Sequence, residues 1–127
     1  MIKNSKRGSA INNITYGMVG GGPGSLIGDV HRKAINFDDS AKLVGGCFSR
    51  SFEKTKETGR KLGLERSRLY KNFEEMAESE GSKEDGMDFV SIVTPNSSHF
   101  RIAKSFLENG INVMCDKPLT VTVQESE

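Results

Sequence analysis

Apolar and amphipathic segments alternate along the chain, and the alternation predicts most of its elements. Residues 14–20 form a short β-type run. After the glycine-rich stretch GGGPGS, Leu26, Ile27, Val30, Ala34 and Ile35 recur at helical spacing, which predicts strand, turn, helix with those five as the inner stripe. AKLVGGCF (residues 41–48) reads as a second strand, interrupted by Gly45 and Gly46 where another backbone can approach closely. A second, mostly solvent-facing helix follows, with Ser51 as its N-cap, Glu53 in the first turn and Gly63 as its stop. Leu69 and Tyr70 suggest a brief third strand. Asn72 then caps a helix that begins Phe73-Glu74-Glu75-Met76, and the polar residues 78–85 (ESEGSKED) read as a surface loop. FVSIV (residues 89–93) is the clearest strand. Ile102, Ala103, Phe106 and Leu107 make an apolar helical stripe ending at Asn109-Gly110, and residues 111–115 return as a fifth strand.

The helices that separate these strands are long enough for crossovers, so the expected fold is α/β, a doubly wound parallel sheet of the Rossmann type in a single three-layer domain. A domain of residues 14–127 behind a flexible tail, residues 1–13, fits the pattern. The chain has 127 residues, enough for one domain with a real core and too few for two full-sized ones.

Composition narrows the function classes. With 18 Lys plus Arg against 17 Asp plus Glu, no bulk field favours nucleic acid or an anionic membrane. Lys3, Lys6 and Arg7 read as a solvated tail. No apolar run approaches the roughly 20 residues that span a bilayer, and residues 1–13 lack a secretory apolar stretch, so a cytoplasmic protein is expected. Cys47 and Cys115 close strand-like runs and are read as core residues. No clustered Cys and His spacing suits a metal.

In a doubly wound sheet ligands bind beyond the carboxyl ends of the strands, where the strand order reverses. Four loops follow predicted strands directly: the glycine turn, Ser49-Arg50-Ser51, Thr94-Pro95-Asn96 and Asp116-Lys117-Pro118. A diphosphate is held well by unpaired amides at a helix N-terminus, and side chains at the turn would keep it away. Gly20 and Gly22 supply the first two glycines of a dinucleotide fingerprint. Either Ser25 takes the third place, or a three-residue insertion such as Pro23-Gly24-Ser25 precedes Gly28. Leu26 and Ile27, which open the helix, complete the candidate diphosphate cradle.

An NAD site usually has an acidic residue at the end of the second strand. Here that strand runs into Ser49 and Arg50. Hydroxyls and a guanidinium fork suit a 2′-phosphate, with Lys54 as a further candidate for it, so NADP is favoured over NAD.

SIVTPNSSHF (residues 91–100) and INVMCDKPLT (residues 111–120), following the glycine turn in this order, resemble the N-terminal half of the glucose-fructose oxidoreductase / inositol dehydrogenase / MocA family. The resemblance runs from about residue 14 to the end. It implies a cofactor-binding Rossmann domain, normally followed by a larger α/β domain that this chain lacks. It also implies hydride transfer between NAD(P) and a hydroxyl or carbonyl carbon, often of a sugar or cyclic polyol. By resemblance, Thr94, Pro95, Asn96 and His99 line the cofactor near its nicotinamide end. Asp116 stands where the family has a glutamate that reaches the cofactor ribose, and Lys117 matches the lysine at the reacting centre.

A lysine there suits the chemistry, because a cation beside the substrate oxygen stabilises a developing alkoxide and can relay its proton. His31 is expected to be structural. The expected partners are the dinucleotide and a polyol or sugar, with no nucleic acid or membrane, and exposed apolar surface would favour homo-oligomers. A second reading is a stand-alone dinucleotide-binding regulatory module without catalysis.

Overall fold

The computed structural model describes residues 14–115 and Gln124. Four strands form one parallel sheet: β1 (Ile14–Val19), β2 (Ala41–Cys47), β3 (Phe89–Ile92) and β4 (Asn112–Cys115), in the order β2-β1-β3-β4. Four helices connect and cover them: α1 (Leu26–Asn36), α2 (Phe52–Lys61), α3 (Phe73–Ser82) and α4 (His99–Glu108). The chain moves outward from β1 to β2 and then returns to the other side of β1, so the order reverses between β1 and β3.

Side-chain alternation along the strands builds a core on each face, as the period of two requires. Tyr16, Met18, Leu43, Phe48 and Leu69 pack on one face with Ile35 of α1 and Phe52 of α2. Tyr16 and Phe89 stack there with ring centroids 5.2 Å apart. On the other face Val19, Val90 and Ile92 meet Met76 and Ala77 of α3 and Ile102, Ala103 and Phe106 of α4. This is the three-layer arrangement that the sequence predicts. Among the described residues no helix is long and apolar enough to cross a membrane.

Local signals act as read. Ser51 accepts a hydrogen bond from the Lys54 amide at 3.4 Å, Asn72 caps α3 through the Glu75 amide at 2.8 Å, and Gly63 and Gly110 take the positive φ of helix stops. Cys47 is buried and Cys115 half-buried.

Four expectations need correction. Leu69 and Tyr70 do not build a strand. They contribute one parallel bridge, Leu69 to Gly46, with the Tyr70 amide donating to the Gly46 carbonyl at 3.0 Å. The short 3-10 turn Arg66–Arg68 before them and the α3 cap after them leave too few extended residues for more, and residues 112–115 are therefore the fourth strand rather than the fifth.

Second, the apolar stripe assigned to α1 faces outward. Leu26, Ile27 and Val30 are 74%, 45% and 51% exposed, and Ala34 is exposed as well. The helix meets the sheet through Gly28, its one buried residue, and through half-buried His31, Arg32 and Ile35. Leu107, likewise assigned to an inner stripe, is exposed.

Third, residues 78–85 are not simply a loop, because α3 continues to Ser82 and Glu80 is fully buried. Its carboxylate accepts from Arg68 Nε at 3.1 Å and Nη2 at 2.5 Å, from the Tyr70 hydroxyl at 2.5 Å and from the Met87 amide at 3.0 Å. Polar composition there conceals an internal ion pair. Burial alone would raise the Glu80 pKa, but Arg68, Tyr70 and the Met87 amide together hold it below the usual glutamate value. Burial and the neighbouring carboxylate push Tyr70 up to about 12, so its hydroxyl remains a donor.

Fourth, His99 is a core residue, as the site geometry shows next.

Candidate cofactor site

Three connections leave the same end of the sheet, after β1, β2 and β3, and enclose a cleft of about 460 Å³. Its walls include Gly20 and Gly21 from the first, Ser49 and Arg50 from the second, and Thr94, Pro95 and Ser98 from the third. A groove of about 380 Å³ shares Gly21 with it and runs along Gly22, Pro23, Gly24, Ser25 and Leu26 to Arg32.

The glycine turn resolves the alternative that its sequence leaves open. Ser25 is the N-cap of α1: its hydroxyl accepts from the Gly28 amide at 3.1 Å, and its own amide donates to the Gly22 carbonyl at 3.0 Å. The place of the third glycine belongs to Gly28, whose α-carbon lies against that of Gly21 so closely that a Cβ on Gly28 would overlap it. Gly24 sits at φ +80°, with nothing within 4 Å of where a Cβ would be. The first-turn amides of Leu26 and Ile27 have no partner within the helix, and they carry the positive end of its dipole. A bare turn leading into unpaired amides fits a diphosphate. The side chains of Leu26 and Ile27 are exposed, so main chain is what these two residues offer.

Arg32 is a site-supporting residue that the sequence reading missed. Its Nη1 donates to the Gly21 carbonyl at 3.0 Å and lies 3.2 Å from Met18 Sδ, bracing the turn from below. The available signal was spacing, since Arg32 stands four residues after Gly28 and shares its face of the helix.

Beyond β2, the Ser49 amide donates to the Thr55 hydroxyl at 3.0 Å, and that hydroxyl lies 3.2 Å from the Ser49 carbonyl, while Ser49 Oγ accepts from the Ser51 amide at 3.1 Å. Arg50 projects from this fixed hairpin, exposed. Lys54 does not join the cleft: it lines a separate groove with Glu53, Lys56, Glu57, Arg60 and Arg66, because one helical turn carries it past the cleft wall.

Beyond β3, Ser98 Oγ contacts Thr94 Oγ1 and the Pro95 carbonyl, each at 2.8 Å, and Asn96 opens the 3-10 turn Asn96–Ser98. His99 is fully buried, and its Nε2 donates to the Thr94 carbonyl at 2.8 Å. It therefore shapes the loop from behind rather than lining the cleft. His31, expected to be structural, places Nδ1 3.0 Å from Ser91 Oγ under the sheet.

Cys47 also borders the cleft. Burial, with Glu74 and Glu75 nearby, pushes its thiol up to about 11, so it stays protonated and is no nucleophile. Lys71, Phe73, Glu74 and Arg101 also line the cleft, and none of them carried a signal for a site in the sequence. Asp116 and Lys117 lie outside the described residues.

A parallel sheet that reverses its order at a glycine turn is the arrangement in which dinucleotide-binding domains hold their ligand. Residues 14–127 match the family model described as "Oxidoreductase family, NAD-binding Rossmann fold", and the chain belongs to this Gfo/Idh/MocA family. It is 39% identical over 115 residues to the uncharacterized oxidoreductase YfiI of Bacillus subtilis (strain 168), covering 90% of this chain and 29% of the relative. The fold matches an inositol dehydrogenase homolog from Azotobacter vinelandii complexed with NAD+, at TM-score 0.85 and 39% identity over 90% of this chain and 29% of that one. It also matches an oxidoreductase from Sinorhizobium meliloti, at TM-score 0.83 and 48% identity over 90% of this chain and 32% of that one. The chain thus spans about a third of the length of these relatives, and its fold is that of an NAD-binding domain.

Proposed function

We propose that this chain is the cofactor-holding part of a dehydrogenase that acts on a hydroxyl or carbonyl carbon of a cyclic polyol or sugar. The carrying observation is the Gly21–Gly28 contact, which seats the start of α1 against a turn bare of side chains. The Azotobacter vinelandii homolog was also crystallised with NADH and myo-inositol, which supports a nicotinamide dinucleotide and a polyol as the ligand classes; the preference for a 2′-phosphate rests on Ser49 and Arg50 alone.

The bound nicotinamide supplies the hydride acceptor or donor. The chain's own residues bind and orient. Gly20, Gly22 and Gly24 leave room at the turn, Pro23 and Ser25 shape it and cap the helix, and the Leu26 and Ile27 amides hold the diphosphate. Ser49 and Arg50 receive the adenosine end, where the guanidinium fork favours a 2′-phosphate and hence NADP over NAD. Thr94, Pro95 and Asn96 border the nicotinamide end, and Asp116 reaches a ribose hydroxyl. By the family resemblance Lys117 serves the substrate oxygen, as a neutral amine that takes the hydroxyl proton when the substrate is oxidised and as an ammonium group that returns it when the substrate is reduced. Substrate groups and further proton carriers belong to the part of the relatives that these residues do not match, and holding the cofactor is the role these residues take.

The test is a fluorescence titration of the purified chain with NADPH and NADH. Both are expected to bind, with Arg50→Ala losing the preference for NADPH and Lys117→Ala retaining affinity. Failure of the parent chain to bind either dinucleotide overturns the proposal.

A further inference from the structure

The outer wall of the cleft carries a cation that the glycine-turn chemistry does not use. We infer that Lys71 is a second specificity-determining residue of the cofactor site, pairing with Arg50 to clamp the 2′-phosphate of a phosphorylated dinucleotide. This rests on the cofactor reading above and refines it.

Three observations place Lys71. The single parallel bridge Leu69 to Gly46 ties the segment just before Lys71 to β2, three residues ahead of Ser49. Its Nζ stands 5.8 Å from the centre of the Phe52 ring, two residues beyond Arg50, and both cations line the same cleft. The segment is also anchored from below. Arg68 and Tyr70, on either side of Leu69, are both bound by the buried Glu80 carboxylate, so the backbone feeding Lys71 into the cleft is fixed.

Charge makes the pair suitable for a dianion. Lys56 shares the Phe52 ring at 5.1 Å but is neutralised by Glu53 at 2.9 Å. Lys71 and Arg50 have no carboxylate partner among the described residues. The cleft walls carry Arg50, Lys71 and Arg101 against the single carboxylate of Glu74; Arg101 lies over the Phe73 ring at 5.6 Å as Lys71 lies over that of Phe52, and neither ring removes the charge. A fork on one side and a point charge on the other suit a terminal phosphate, whereas two bare ribose hydroxyls leave the excess charge unanswered.

The test compares NADPH with NADH, and 2′-AMP with 5′-AMP, on the full chain by fluorescence titration and competition. Lys71→Met is expected to weaken NADPH and 2′-AMP by about tenfold, the scale of one charge-assisted contact, and to leave NADH and 5′-AMP within about twofold. Lys71→Arg should restore the preference, and Lys104→Met, which removes a positive charge remote from the cleft, should leave it intact. An unchanged melting temperature shows that the variants fold.

Equal loss for both dinucleotides, or no loss for either, overturns the inference while the parent's NADH binding sustains the cofactor reading. A parent that binds NADH and NADPH equally overturns the clamp alone. A parent that binds neither overturns both.

Discussion

Glu80 shows how a single residue defeats composition. It lies in a stretch rich in Glu, Ser, Lys and Asp that reads as a solvated loop, yet it is the most enclosed carboxylate described, holding Arg68, Tyr70 and the Met87 amide together. Nothing in the order of residues announces this, because Arg68 is twelve positions away and a buried ion pair leaves no periodic trace. Replacing Glu80 with Ala strands a nearly buried guanidinium and a backbone donor. The expected cost is about 3–5 kcal/mol, with a smaller loss for Glu80→Gln, measured by urea unfolding. His99 teaches the complementary lesson. Its place in a T-P-N-x-x-H sequence links it by resemblance to the cofactor, and the structure has it fully buried with Nε2 donating to the Thr94 carbonyl.

Among elements, strands and caps were legible and helix orientation was not. The runs at 14–20 and 89–93, and the caps Ser51 and Asn72, have local causes that a sequence displays directly. The rotation of α1 is decided by a contact between two glycines that have no side chains to register in a hydrophobic pattern, so Leu26, Ile27 and Val30 were assigned inward and lie outward. The same contact yields a sharp expectation. Gly28→Ala adds a methyl where Gly21 already sits, and α1 must move off the turn. A stability loss of about 1–3 kcal/mol is expected, with dinucleotide affinity falling more than tenfold, read by thermal melting and NADH titration.

For the molecule as a whole, the strand order β2-β1-β3-β4 sets the cleft; the parallel crossovers were legible in the sequence, and the order itself was not. Nor was the cationic wall, because Lys71, Phe73 and Arg101 meet only once α3 and α4 are docked on the sheet. Global stability should carry the mark of the Glu80 clamp. A carboxyl whose folded pKa is depressed contributes fully above its unfolded value, about 4.3, and loses that contribution as pH falls through the folded value. The urea midpoint is therefore expected to drop as the solution is acidified below about pH 4. Glu80→Gln should flatten that decline, leaving a midpoint lower at pH 7 and less sensitive to acid.

On the proposed function the turn between β1 and α1 recognises through main chain, and this shapes how the protein can diverge. A ligand gripped by amides does not register the identity of Pro23, Leu26 or Ile27, whose side chains lie exposed in solvent. Evolutionary drift at these three positions is free to track whatever neighbours the outer face of the helix acquires. Gly21 and Gly28 carry no such freedom, and lineages that differ widely around them should keep both.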